Sequence, residues 1–307
     1  MPRISRKRLR LFAQHLRALK RPLVQDADLA VCFFLALRDA GDQAELETVE
    51  PEALRRSFRN FRKTLVEFGG IERFPATGTL HGYLVGMAGV PEPEKAICSL
   101  DPFSYLSHLT AMVWHGLSDR LPKTIFLTRP SPSLWRTLAA SKLESQLGDM
   151  TPWYRAAKLP AYRPIDMGAI KKRPLHFWNS SRLDQAYSAA FKRVDDGAIR
   201  IATVARCFLD MVREPDLCGG IDHVMEIFEE HGPKHLEAIV NEIDHHGNKI
   251  EQARAGYLLE AADASLAANP KLQKWAGEVV RGGSRKLDPS ADYADTYSER
   301  WALSINV

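Results

Sequence analysis

The chain has 307 residues, 45% hydrophobic and 26% charged, with a formal net charge of +4. That is enough polypeptide for two ordinary domains and too much apolar content for a disordered chain. The longest apolar run, "LAVCFFLAL" at 29–37, has nine residues, well short of the roughly 20 that cross a bilayer.

No transmembrane helix is therefore expected. The basic N-terminus turns polar before any apolar stretch of the length a secretory signal needs, so a cytoplasmic protein is expected. Cys32, Cys98, Cys207 and Cys218 show no short paired spacing, which points to reduced, buried thiols rather than a disulfide framework or a zinc knuckle. Charge is uneven along the chain. Residues 1–90 hold 15 Lys and Arg against 10 Asp and Glu, and the first 24 hold eight cations and no acid. A cationic N-terminal third beside a balanced remainder suggests one domain that meets a polyanion.

In chain order, Arg6 to Lys20 reads as a helix with Leu9, Phe12, Leu16 and Leu19 on one side, and Asp26 to Ala40 as a second helix ended by Gly41. Pro51 suits a first helical turn, and the helix it opens stops at Gly69-Gly70. Ile71 to Phe74 and Leu80 to Val85 read as two short strands joined by the turn-rich "PATG". Three helices followed by a hairpin is the order of a winged helix-turn-helix. The stretch "MAGVPEPEKA" reads as the linker, so the expected division is a DNA-binding domain over 1–90 and a second domain over 91–307.

Beyond it, Asp101 with Pro102 is expected to open a helix closed by Gly116, and "KTIFLT" at 123–128 to form a strand. Residues 129–174, with six prolines, read as mostly loop. Leu183 to Val194 is ambiguous, and "GAIRIA" alternates like a strand. From Val204 the helical period strengthens, with Val204, Cys207, Phe208, Met211 and Val212 on one face and Pro215 as a stop. Further helices follow from Ile221, over Pro233 to His246 and over Lys249 to Ala262. The expected class is α+β, a winged helix-turn-helix followed by a larger, helix-rich mixed α/β domain.

The third helix carries the most informative pattern. In "ALRRSFRNFRK" (53–63) five cations stand in eleven positions with no acid. At about 100° per residue, Leu54, Phe58, Phe61, Leu65 and Phe68 share an arc of roughly 80°, while Arg55, Arg56, Arg59, Asn60, Arg62 and Lys63 lie away from it. A solvated face usually interleaves acids with bases, because like-charge pairs cost a few tenths of a kcal/mol each. Phosphates would offset that cost. Arg is also suited to guanine edges and Asn to adenine edges, and the helix precedes the hairpin as a recognition helix does. Arg73 and His81, on the two strands, could touch backbone or minor groove. The arm "RISRKRLR" at 3–10 could touch phosphates. Read without nucleic acid, the same helix is an exposed basic face or the docking surface of an acidic protein.

The rest of the chain offers weaker chemistry. "DHH" at Asp244 to His246 supplies metal ligands in some phosphoesterases, but on a helix Asp244 and His246 diverge by about 160°. His231 and His235 have ligand spacing but are interrupted by Gly232-Pro233. "CGGI" at 218–221 could cradle a phosphate but equally makes a turn. Asp210 stands among apolar neighbours and suggests a buried carboxylate. A metal-dependent phosphoesterase or nucleotidyltransferase using Asp210, Asp244 or His245 is the enzymatic alternative. No Gly-x-Ser-x-Gly, P-loop or Cys-His pattern appears, and neither enzyme activity, cofactor nor metal is expected.

The runs "SYLSHLTAMVWHGLSDRLPKTIFLT", "VARCFLDMVREPDLCGGIDHVMEIF", "ARAGYLLE" and the closing "RWALSINV" resemble the successive blocks of the AbiEi family of antitoxins. The likeness covers most of 50–128 and 197–307. Arg254-Ala255 stands where the family usually has an Arg-Leu pair. The resemblance implies an N-terminal winged helix, a C-terminal α/β antitoxin domain and an autoregulating repressor that binds inverted repeats in its own promoter. It also implies a role in phage defence, opposing a cognate nucleotidyltransferase toxin in a type IV toxin-antitoxin system, where no stable complex is required. A regulator without a toxin partner shares the same N-terminal chemistry.

Overall fold

The computed structural model describes residues 5–41, 50–86, 89–179, 187–279 and 285–307. Arg3 and Ile4 of the basic arm, Met87 and Ala88 of the expected linker, and the start of the ambiguous 183–194 stretch lie outside the described residues. The fold is α+β, and the chain divides into two compact units, residues 1–104 with 129–173 and residues 105–128 with 174–307.

The first unit begins with helix α1 (Arg6–Ala18), capped by the Ser5 side chain, which accepts from the Arg8 N–H at 3.2 Å. Strand β1 (Leu23–Val24) leads into α2 (Asp26–Asp39), whose start is closed reciprocally by Gln25 and Asp28. That cap satisfies two of the amide donors a helix N-terminus leaves open. Helix α3 (Pro51–Glu67) has proline in its first turn. Leu54, Phe58 and Phe61 are its buried positions, and Phe61 meets Phe12 edge-on at 4.7 Å and Phe33 at 5.2 Å. The expected stripe is thus the core face at its N-terminal end, while Phe68 is 85% exposed and ends outside it.

Strands β2 (Ile71–Phe74) and β3 (Gly82–Val85) pair antiparallel from Ile71↔Val85 to Phe74↔Gly82, and β1 pairs with β3 on the other side. The sheet order is β1-β3-β2. Gly82 is required there: a Cβ would sit 2.5 Å from the Val24 carbonyl oxygen and 2.6 Å from Leu100.

Beyond the hairpin the structure departs from expectation. The stretch expected as a linker runs into helix α4 (Pro93–Leu100), with Pro93 in its first turn. Gln25 donates to the Leu100 carbonyl at 2.8 Å and Arg21 to that of Ser99 at 3.3 Å, so α4 belongs with the N-terminal unit and the division does not fall at residue 90. The helix expected from Asp101 to Gly116 is interrupted. Asp101 Oδ1 accepts from the backbone of Phe103 and Ser104, both at 3.0 Å, a side-chain turn that competes with helix. The chain then enters the second unit as strand β4 (Tyr105–Leu106), helix α5 (His108–Trp114) and strand β5 (Ile125–Arg129).

It returns to the first unit as two helices, α6 (Pro132–Leu147) and α7 (Thr151–Ala156), and strand β6 (Ala169–Ile170). The expected loop over 129–174 is therefore largely helical up to residue 156. Two of its six prolines open helices rather than break them: Pro132 and Pro152 stand in first turns, and Ser131 caps α6.

The second unit continues with β7 (Arg173–Asn179), β8 (Phe191–Val194) and β9 (Ile199–Ala202). Its strands lie in the order β7-β5-β4-β9-β8; β4 pairs antiparallel with β5 and parallel with β9. The helices α8 (Val204–Arg213), α9 (Ile221–His231), α10 (Leu236–His246) and α11 (Lys249–Ala262) follow. Phe208 and Phe228 meet edge-on at 5.0 Å in the core. After α12 (Pro270–Gly277) the chain ends in the hairpin β10 (Tyr297–Ser298) and β11 (Leu303–Ser304). Trp301 covers Gly256 so closely that a Cβ there would stand 2.1 Å from the indole, and its Nε1 donates to Glu260 at 2.8 Å. The "GYLLE" and "RWALSINV" blocks are thereby one packing unit.

Candidate nucleic-acid interface

The buried face of α3 decides where its cations point. With Leu54, Phe58 and Phe61 fixed in the core, Arg56, Arg59, Asn60 and Lys63 are exposed, and Arg55 and Arg62 are half-buried. Two rows result. Arg55, Arg59 and Arg62, at i, i+4 and i+7, flank the core face; Arg56, Asn60 and Lys63 stand further round the helix.

These side chains are not equivalent. Arg62 is ion-paired to Asp26 at the start of α2 and lies over the Phe58 ring, 5.6 Å from its centroid. Its guanidinium fastens α3 to α2, so Arg62, expected among the contacting cations, has a structural partner already. Lys63 approaches Glu67 at 3.6 Å, one turn on, but both are exposed and such a pair is worth at most about 0.5 kcal/mol. Among the described residues no carboxylate pairs with Arg55, Arg56 or Arg59.

Arg73 is exposed on β2. His81 lies just before β3 rather than on it, and its N–H closes the hairpin on the Phe74 carbonyl at 2.9 Å. Burial lowers the pKa of its imidazole, opposed by Asp166. Sequence reasoning missed the Asp26 partner of Arg62, because the two are 36 positions apart.

The residues of the enzymatic alternative do not converge. Asp244 accepts from Lys271 and, at 3.0 Å, from Trp275 Nε1, and Lys271 foremost holds its pKa down to about 2. His245 Nδ1 instead faces the Asn241 carbonyl at 2.7 Å. Among the described residues no three His, Cys, Asp or Glu side chains are grouped to hold a metal. Asp244 is thus the anchor of α12. Asp244→Ala is expected to lower stability by about 2 kcal/mol, as for hydrogen bonds to a charged group, with the same melting temperature in chelator and in zinc. Asp210 is 2% exposed, out of reach of a substrate, and burial raises its pKa to about 6. All four cysteines are free and buried.

No protein-family model matches the chain, and no curated protein does. Among solved structures, the RV2827C protein from Mycobacterium tuberculosis aligns over 98% of this chain and 92% of its own, at 13% identity and a TM-score of 0.49. A likeness of that size carries no argument. No helix among the described residues is long and apolar enough to cross a membrane.

Proposed function

We propose that this protein is a DNA-binding antitoxin of the AbiEi type that represses its own promoter at inverted repeats and counteracts a cognate nucleotidyltransferase toxin, without itself being an enzyme. The observation that carries the reading is the set Arg56, Arg59, Asn60 and Lys63, exposed on a helix whose opposite face is locked in a core. Helix, strand, two helices and a hairpin in the sheet order β1-β3-β2 support a winged-helix reading in which α3 takes the recognition position. In that role Arg56 and Asn60 meet base edges, Arg59 and Lys63 meet phosphates, and Arg73 and His81 touch backbone beside the hairpin.

Electrophoretic mobility shifts on the native upstream region and on a random duplex of equal length test the DNA half of the proposal. Tighter binding to the upstream region is expected, weakening steeply with salt as phosphate contacts require; equal affinity for both duplexes counts against a repressor. The toxin half is tested by the neighbouring gene, expected to encode a nucleotidyltransferase whose growth arrest is relieved when this chain is co-expressed.

A further inference from the structure

Helix α3 is not the only cationic wall on its side of the first unit. A groove of about 760 Å³ runs along it, with Arg55, Arg59 and Arg62 on one wall and Lys158 and Arg163 on the other. Its acids are Asp26, already paired with Arg62, and Asp166. Lys158 and Arg163 are exposed, and among the described residues neither side chain has a carboxylate partner.

The second wall is fixed in place from beneath. The buried Gln25 side chain takes both backbone groups of Arg163, accepting from its N–H at 3.0 Å and donating to its carbonyl at 2.9 Å. Tyr162 donates to Asp28 at 2.9 Å. Gln25 and Asp28 are the pair that caps α2. One polar cluster therefore sets both the start of α2, to which Arg62 fastens α3, and the position of Arg163 across the groove.

We propose that this groove seats the sugar-phosphate strand bordering the major groove that α3 reads, with Lys158 and Arg163 as phosphate contacts supplied from outside the helix-and-hairpin module. The inference rests on the DNA reading above. A helix about 10–12 Å across fills a major groove of about 12 Å, so a side chain flanking such a helix meets backbone rather than bases. Arg55 and Arg59 face the groove and Arg56 and Asn60 do not, which divides phosphate contacts from base contacts on one helix.

The test is fluorescence anisotropy of the full chain on the upstream duplex and a random duplex, as a function of salt. The double variant Lys158→Ala/Arg163→Ala is expected to bind both duplexes roughly ten- to a hundredfold more weakly at 0.1 M salt, and to lower the slope of log affinity against log salt by about 1.8, two contacts at about 0.9 each. Exchanging the two residues for one another (Lys158→Arg with Arg163→Lys) is expected to restore both values. An unchanged slope and affinity in the alanine variant overturn the inference. If Arg56→Ala/Asn60→Ala still weakens upstream binding in that case, the DNA reading stands alone; if neither double variant changes binding, both fail.

Discussion

Removing Arg56 and Asn60 together is expected to erase most of the difference between upstream and random DNA while leaving the protein folded. In the proposed role each residue makes a bidentate contact with a base edge, worth about 1–3 kcal/mol of discrimination, so the pair would account for about 2–6 kcal/mol. Both side chains are exposed, on the side of α3 away from Leu54, Phe58 and Phe61. Their truncation leaves no cavity, whereas Phe58→Ala would empty a site 1% exposed at a cost of about 3–5 kcal/mol. Lys63→Ala is the informative comparison. A lysine on a phosphate carries no sequence information, so its loss should weaken both duplexes equally and lower the salt slope by about one. Titrations of the three proteins on both duplexes at two salt concentrations separate these effects. A selective loss with Lys63→Ala, or a uniform one with Arg56→Ala/Asn60→Ala, would reverse the roles given to these three residues.

The elements that carry this reading were legible because their information is local. The stripe of α3, its proline start and the Gly69-Gly70 stop are all written within twenty residues, and β2 matches its expected span of Ile71 to Phe74. Two-residue β1 was missed, since Leu23 and Val24 are too few to show alternation. Pro93, Pro132 and Pro152 misled because proline reads as a breaker in a window and as a starter in a first turn. In α6 only Trp135, Leu143 and Leu147 are buried, so it shows little stripe. What no window could show is long-range pairing. Arg62 finds Asp26 across 36 positions and Gln25 finds Arg163 across 138, so neither the anchoring of α3 nor the opposite wall of its groove is visible without the fold.

The second large effect belongs to the second unit and to pH. Asp210 and His108 are both fully buried, and each is neutral where the free side chain would be charged. Burial raises Asp210 from 3.8 to about 6. Arg206 and Arg213 pull the other way, but they are already engaged with Glu242 at 2.6 Å and Glu251 at 2.9 Å. Burial likewise pushes His108 down to about 3, with His176 and Arg213 adding to it. For Asp210 the folded state holds the proton more tightly, so its contribution is present below pH 3.8 and lost as pH rises through about 6. For His108 the folded state releases the proton, so its contribution is present above pH 6.5 and lost as pH falls through about 3. Between about pH 4 and 6 the folded chain therefore carries one proton on Asp210 where the unfolded chain carries one on His108, and the two slopes cancel.

Asp210→Asn removes one side of that balance. At neutral pH its net effect is small, because relief of about 3 kcal/mol of carboxylate burial, two pKa units at 1.36 kcal/mol each, is offset by an amide N–H left without a partner at about 1–3 kcal/mol. The slope is the larger signal: the variant should gain about 1.4 kcal/mol per pH unit relative to the parent, or about 2 kcal/mol from pH 4.5 to 6. Hydrogen exchange of the α8 amides reads this within the second unit alone. Parallel pH profiles for the two proteins would mean that Asp210 is ionised in the fold, and that Arg206 and Arg213 overcome its burial despite their own partners.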